Sequence, residues 1–223
     1  MKRFALAVLL LVASVFPAAA QTYYDIDVDL PSYPEMQPVP DSPVYYAPNV
    51  DSNYFFYDGL YWDYYNDGWY SSAWYNGPWE LVDPVYIPTY VLWVPIRFYR
   101  RPPPFFRTWA PGRSPRWSEH WGRNWLDRHN AVYGGRGTRA PAPAPLPQYQ
   151  RQYSRDNYPR GTQQYALHGQ NYGYQPRENV VQRHYQSRGI TAQQQPSSQR
   201  EGRRDAGRRD EGRRDEGPRE QRR

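Results

Sequence analysis

Few residues in this chain could do chemistry. There are four histidines, two adjacent serines, scattered acids and an unusually large number of tyrosine and tryptophan rings. His120 follows Glu119, and His129 lies nine positions further on; His168 and His184 stand apart near the C-terminal end. Neighbouring helical residues point in different directions, and no His-x3-His or comparable ligand spacing occurs, so no metal site is expected. Ser71-Ser72 has neither a Gly-x-Ser-x-Gly setting nor a nearby histidine in sequence, so no nucleophile is expected there. Among the acids of the ring-rich stretch, Asp58 and Asp67 belong to turns, while Asp63 and Glu80 stand singly. Nothing singles out a carboxylate pair for glycoside hydrolysis. The absence of cysteine excludes thiol catalysis and thiolate metal sites. The chain therefore reads as a protein that is not an enzyme and has no cofactor.

The rings are the stronger signal. Residues 57–79 run YDGLYWDYYNDGWYSSAWYNGPW, ten of the 23 being tyrosine or tryptophan. Each such ring offers a broad apolar face with a hydrogen-bond donor at its edge, which suits stacking against sugar rings or proline-rich peptides. The same rings suit the core of a small sheet, which alone is marginal and needs every ring it can bury. Tyr61, Trp62, Tyr70, Trp74 and Trp79 are the candidate binding or packing surface, with both uses open.

Charge is divided along the chain. Residues 21–96 hold 11 acids and no Lys or Arg, whereas residues 97–223 hold 26 arginines and 11 acids. Gly-Arg-Arg repeats near the end can neutralise phosphates. Yet acids follow nearly every arginine pair, so residues 200–223 carry 10 arginines against 7 acids and no interleaved ring. Nucleic acid is not the expected partner; the tail reads first as a soluble spacer, with anionic envelope polymers and the chain's own acidic N-terminal region as open alternatives.

The elements that must position these residues follow from turns. Gly59, Gly68 and Gly77 recur every nine residues, preceded by Asp58, Asp67 and Asn76. Asp-Gly and Asn-Gly between aromatic runs mark tight hairpins, because type I′ turns need positive φ at both central residues. Two turn residues and seven strand residues make one period, so a small antiparallel β-meander of SH3-like size is predicted over 52–99. Its strands fall near 53–57, 60–66, 69–75, 78–83 and 89–95, with Tyr57 opposite Leu60, Asn66 opposite Trp69 and Tyr75 opposite Pro78. Both sheet faces then carry rings, where a sheet with one wet side would alternate apolar with polar. A second copy of the chain could cover the surplus face, so a homodimer is a possible partner. Residues 21–51 read as a proline-punctuated extended lead, and 100–113 as a proline-rich connector. Residues 114–131 read as one short helix, with Ser114 as cap, Pro115 in the first turn and Trp117, Trp121 and Trp125 at i, i+4 and i+8. Residues 132–223 are too rich in Pro, Gln, Gly and Arg to bury a core and are expected to be disordered. Within them, APAPAPLP at 140–147 reads as a polyproline II spacer roughly 25 Å long, at about 3.1 Å per residue. The fold class is mainly β with one short Trp-bearing helix between long disordered segments.

The chain opens MKRFALAVLLLVASVFPAAAQ. Lys2 and Arg3, the uncharged run Phe4 to Phe16 and the small residues Ala18-Ala19-Ala20 describe a signal peptide over 1–20, cut before Gln21. The run is shorter than the roughly 20 apolar residues that span a bilayer. Export to the periplasm or beyond is the expected location. GLYWDYYNDGWYSSAWYNGPWELV, then VPIRFYRRPPPFFRTW and SPRWSEHWGRNW, resemble a group of exported, uncharacterised proteobacterial proteins. Members of that group share Tyr/Trp-rich hairpins with a D-G-x-W-Y…Y-N-G-P-W core and a variable Pro/Gln/Arg tail. The resemblance covers roughly residues 54–130, implies export and the hairpin fold, and transfers no activity or functional residue. The expected function is a non-enzymatic binding or assembly module of the cell envelope. Glycan or peptidoglycan binding through exposed Tyr and Trp is one alternative, and polyanion binding by the arginine-rich half another.

Overall fold

The computed structural model describes Tyr24, Ile26, residues 28–134 and residues 140–190. The signal-peptide reading and the Gly-Arg-Arg repeats fall outside the described residues. Six strands form one antiparallel meander in chain order: β1 Gln37–Pro38, β2 Tyr45–Tyr46, β3 Asn53–Tyr57, β4 Leu60–Tyr65, β5 Gly68–Ser72 and β6 Glu80–Val82. The β3–β4 hairpin has the expected register, Tyr57 opposite Leu60, with Asp58 at φ 52° and Gly59 at φ 93°.

The next two turns differ from the expected ones. At the second, the left-handed residues are Asn66 (φ 47°) and Asp67 (φ 60°), and Gly68 is the first residue of β5, opposite Tyr65. Asn and Asp tolerate this conformation because their short side chains bond locally. Asp67 is further held by the Tyr64 hydroxyl, which donates to its Oδ1 at 2.6 Å. At the third, β5 stops at Ser72, and Ser71 rather than a later residue pairs with Glu80. The Ser72 hydroxyl accepts the Trp74 N–H at 3.0 Å and turns the chain out of the sheet. Gly77 has φ 78°, and the Gly77–Pro78 peptide is cis. Asn76-Gly77 thus closes a longer loop instead of a two-residue hairpin. Both registers are displaced by two residues from the expected pairing. Strand side chains alternate with period two, so the rings from Tyr54 to Tyr70 keep their expected faces. Trp74 and Tyr75, expected within the 69–75 strand, lie beyond Ser72, and each joins the core opposite to the expected one.

The expected strand at 89–95 is instead a short helix, α1 Thr89–Leu92, followed by a tight turn. Pro88 and Pro95 bracket the segment and cannot donate ladder bonds, while the Pro88 carbonyl accepts from Val91 and Leu92. A helical turn places Val91, Leu92 and Val94 inward together. The tryptophan helix, α2 Trp117–Tyr133, begins later than its expected start at 114. Ser114 does not cap it; its hydroxyl donates to the Trp93 carbonyl at 2.8 Å.

The largest departure lies beyond Gly134. Residues 140–190, expected to be disordered, carry two further helices, α3 Gly161–Asn171 and α4 Asn179–Ser187. They pack on the sheet by means of buried rings and polar groups that no hydropathy pattern exposes. One sheet face, with Phe55, Tyr57, Leu60, Trp62, Tyr64 and Trp69, is covered by α1, α2, the turns between them and α4. The opposite face, with Tyr54, Phe56, Tyr61 and Tyr70, is covered by the lead around Ile26–Val50 and by Ala144 and Tyr172. Mainly β therefore describes only the central layer, between two layers of helices, turns and extended chain. Both ringed faces are closed by the chain itself, so the surplus face that motivated a homodimer is already covered.

Candidate functional site

The five rings singled out from sequence do not form a surface. Tyr61 and Trp62 are 0% exposed, Trp74 1%, Trp79 3% and Tyr70 9%. Trp62 and Trp74 belong to one core and Tyr61, Tyr70 and Trp79 to the other. Their polar edges are used internally. Tyr61 donates to Gln150 Oε1 at 3.1 Å, Trp62 Nε1 to the Tyr57 carbonyl at 3.2 Å, and Trp74 Nε1 to the Gln164 carbonyl at 2.9 Å. Packing is their role.

The six turn residues are structural too, and Asp58 does more than turn the chain. Its carboxylate accepts the Tyr174 hydroxyl at 2.6 Å, the Arg177 N–H at 3.0 Å and the Glu178 N–H at 2.7 Å. It thereby satisfies backbone donors at the start of α4, where negative charge is favoured. Burial raises its pKa, and these bonds only partly offset that. Nearby, the Tyr185 hydroxyl donates to the Gly59 carbonyl at 3.1 Å and so accepts from His168 Nε2–H at 2.8 Å. His168 Nδ1 is left to accept the Tyr149 hydroxyl at 2.8 Å. Burial pushes the pKa of His168 down to about 3, so it sits neutral with both nitrogens engaged. It is a core histidine.

An exposed aromatic site does exist, between α1 and α2. Three hydrogen bonds tie α2 to α1 and to the turn before it: Trp117 Nε1 to the Leu92 carbonyl (3.0 Å), His129 Nε2 to the Ile87 carbonyl (3.0 Å) and the Tyr133 hydroxyl to the Tyr86 carbonyl (2.6 Å). Between them lies a groove of about 430 Å³ walled by Tyr90, Trp93, Trp117, Trp125 and Leu126. Arg116, Glu119, Asn130 and Glu178 supply its polar groups. Trp93, 59% exposed, is the most exposed large apolar side chain among the described residues and stands at the groove wall, edge-on to Tyr90 at 5.7 Å. Trp125 Nε1 is buried without a hydrogen-bond partner in this wall. Behind it, Trp117, Trp121, Trp125, His129 and Tyr133 form a continuous ladder with centroids 4.5–5.0 Å apart. Such a mostly apolar groove with a few converging polar groups can hold one ring-sized ligand face-on.

A second recess of about 530 Å³ lies by Asp67. There His120 Nε2 bonds Asp67 Oδ1 at 2.6 Å while its ring stacks on Phe105 at 3.9 Å. His120 thus pairs with Asp67 from the β4–β5 turn, while its neighbour Glu119 pairs with Arg116. Among the described residues no three His, Cys, Asp or Glu converge as metal ligands. Nor is any helix among them long and apolar enough to cross a membrane.

Compared with family models, curated proteins and solved structures, the chain finds no match in any of the three. The groove has to be read from its own chemistry. Sequence reasoning missed Trp93 by placing it in a strand; the available signal was its position between Pro88 and Pro95, which argues against a ladder.

Proposed function

We propose that this is an exported, non-catalytic binding protein of the cell envelope, and that its ligand is a glycan received on Trp93. The single observation that carries this is an indole more than half exposed at the mouth of an aromatic groove in a molecule that buries six of its other eight tryptophan rings and half-buries the remaining two. Exposing a tryptophan forgoes burial worth about 2 kcal/mol, so its position calls for a use. A pyranose lays its C–H face on an indole, and Arg116, Glu119 and Asn130 can meet its hydroxyls. Export rests on the basic, apolar and small-residue order of residues 1–20. The likeness to exported Tyr/Trp-rich hairpin proteins supports the same location.

The test is calorimetric titration of the mature protein with soluble peptidoglycan fragments, with Trp93→Ala alongside. Saturable binding is expected in the parent, and a loss of tenfold or more in the variant, about 1.4 kcal/mol. The substitution is at the surface and should leave stability within about 0.5 kcal/mol. Binding unaffected by the substitution would remove Trp93 from the site, and no binding at all would end the glycan reading.

A further inference from the structure

The chain segment that carries Trp93 bears charge of one sign. From Pro84 to Ser118 there is no acidic residue, while Arg97, Arg100, Arg101, Arg107, Arg113 and Arg116 all fall in this span. Two backbone bonds, Ile96 N–H to the Arg113 carbonyl (3.0 Å) and Arg97 N–H to the Pro111 carbonyl (2.8 Å), clasp residues 96–98 against 111–113. The Ser114 hydroxyl ties that clasp to the Trp93 backbone. Arg97 and Arg113 are thus carried on the clasp that holds Trp93, and Arg116 lines the groove itself. Both Arg97 and Arg113 are exposed.

The two acids that line the groove are already engaged. Glu119 pairs with Arg116 at 2.8 Å, and Glu178, 4% exposed, accepts the Tyr57 hydroxyl at 2.8 Å. Arg113 has no ion pair among the described residues, and Arg97 lies over the Phe98 ring at 4.9 Å with its charge open to solvent. Arginine presents a planar fork of donors that matches a carboxylate with two parallel bonds. From this juxtaposition we infer that the glycan is acidic: its ring rests on Trp93, and its carboxylates meet Arg97 and Arg113 at the rim. The inference rests on the glycan reading and names its class. A membrane surface fits less well, because it would need several protruding apolar side chains at the site, and among the described residues Trp93 is the only exposed large apolar side chain that lines the groove.

The experiment compares a tetrameric oligogalacturonate with the same oligosaccharide after its carboxylates are reduced to alcohols. Each is titrated into the mature protein, into Trp93→Ala and into Arg97→Gln/Arg113→Gln, at low and at physiological salt. In the parent at low salt, the acidic form should bind at least tenfold more tightly than the reduced form, with the advantage shrinking as salt rises. The arginine double variant should lose this advantage and keep its affinity for the reduced form, which also shows that it is folded; Trp93→Ala should lose both. Equal binding of the two oligosaccharides by the parent overturns the acidic assignment and leaves the glycan reading standing. Binding of neither overturns both. A single-stranded oligonucleotide, or vesicles containing anionic lipid, that bind more tightly than the oligogalacturonate also overturn the assignment.

Discussion

Gly59 meets two constraints at once. Its φ of 93° suits a residue without Cβ, and a Cβ there would lie 2.6 Å from the Tyr185 hydroxyl that links His168 to the turn. Gly59→Ala should therefore cost about 2–4 kcal/mol in urea unfolding, from strain together with a displaced buried ring. Gly68 carries the same letter in the nine-residue rhythm but has no positive φ, and its added Cβ would meet the flexible Leu81 side chain at 3.0 Å. Gly68→Ala should cost about 1 kcal/mol or less, so equal losses at both positions would refute this account. Asp63 is the other telling residue. It lies on β4, wholly buried, with Oδ2 bonded to the Ser52 hydroxyl and Oδ1 without a partner. Burial raises its pKa to about 8. Between about pH 4 and 8 the folded chain then holds a proton that the unfolded chain has released, so this group's contribution to stability falls as pH rises. His168 and His184, pushed down to about 3 and 4 by burial, work in the opposite sense, but only below about pH 6.5. The urea midpoint should consequently fall from pH 6.5 to 9, and Asp63→Asn should flatten that decline. A pH-independent parent over this range would contradict the assignment.

At the scale of elements, α2 is not the uniform helix its tryptophan spacing describes. Gly122 breaks it at φ 79° and ψ 175°, a region open essentially to glycine alone. The groove is lined from both sides of this break, by Pro115–Glu119 before it and Trp125–Gly134 after it. An added Cβ at Gly122 would meet nothing within 4 Å, so the cost of Gly122→Ala is backbone strain alone, about 1–3 kcal/mol. The variant should fold, with altered near-ultraviolet circular dichroism from the tryptophan ladder and glycan affinity reduced by fivefold or more. Unchanged dichroism and affinity would show that the break does not shape the groove. The sheet was legible because its signals are local: alternating rings and left-handed turn residues lie within one hairpin. The α1 segment was not, because Thr89, Val91 and Val94 favour a strand in isolation, and only the bracketing prolines and the inward face decide for a helical turn.

The whole molecule is a sheet closed on both faces by chain from either side of it. Tyr54, Tyr61 and Tyr70 lie on a face that Ala144 and Tyr172 help to cover, and Asp58 holds the start of α4 from 120 residues away. A chain ending at residue 134 should therefore fail to fold cooperatively, and should bind the hydrophobic dye ANS. Limited proteolysis of the purified protein should leave a resistant fragment that includes residues 140–190, rather than one ending near residue 130. A stable, dye-silent fragment of residues 21–134 would show that the C-terminal layer is dispensable.

Sequence alone settled the direction-reversing ribbon, the faces of the strand rings from Tyr54 to Tyr70 and the aromatic ladder of α2. Each is written in spacings of two to nine residues, which backbone geometry translates directly. Only the tertiary structure decided that the conspicuous rings are core, that Trp93 is the one left open, and that the Pro- and Gln-rich segment becomes a covering layer. Those outcomes depend on which distant segments arrive to exclude water. That burial is held in place by single polar anchors such as Asp58, Gln150 and His168, whose partners no local pattern announces.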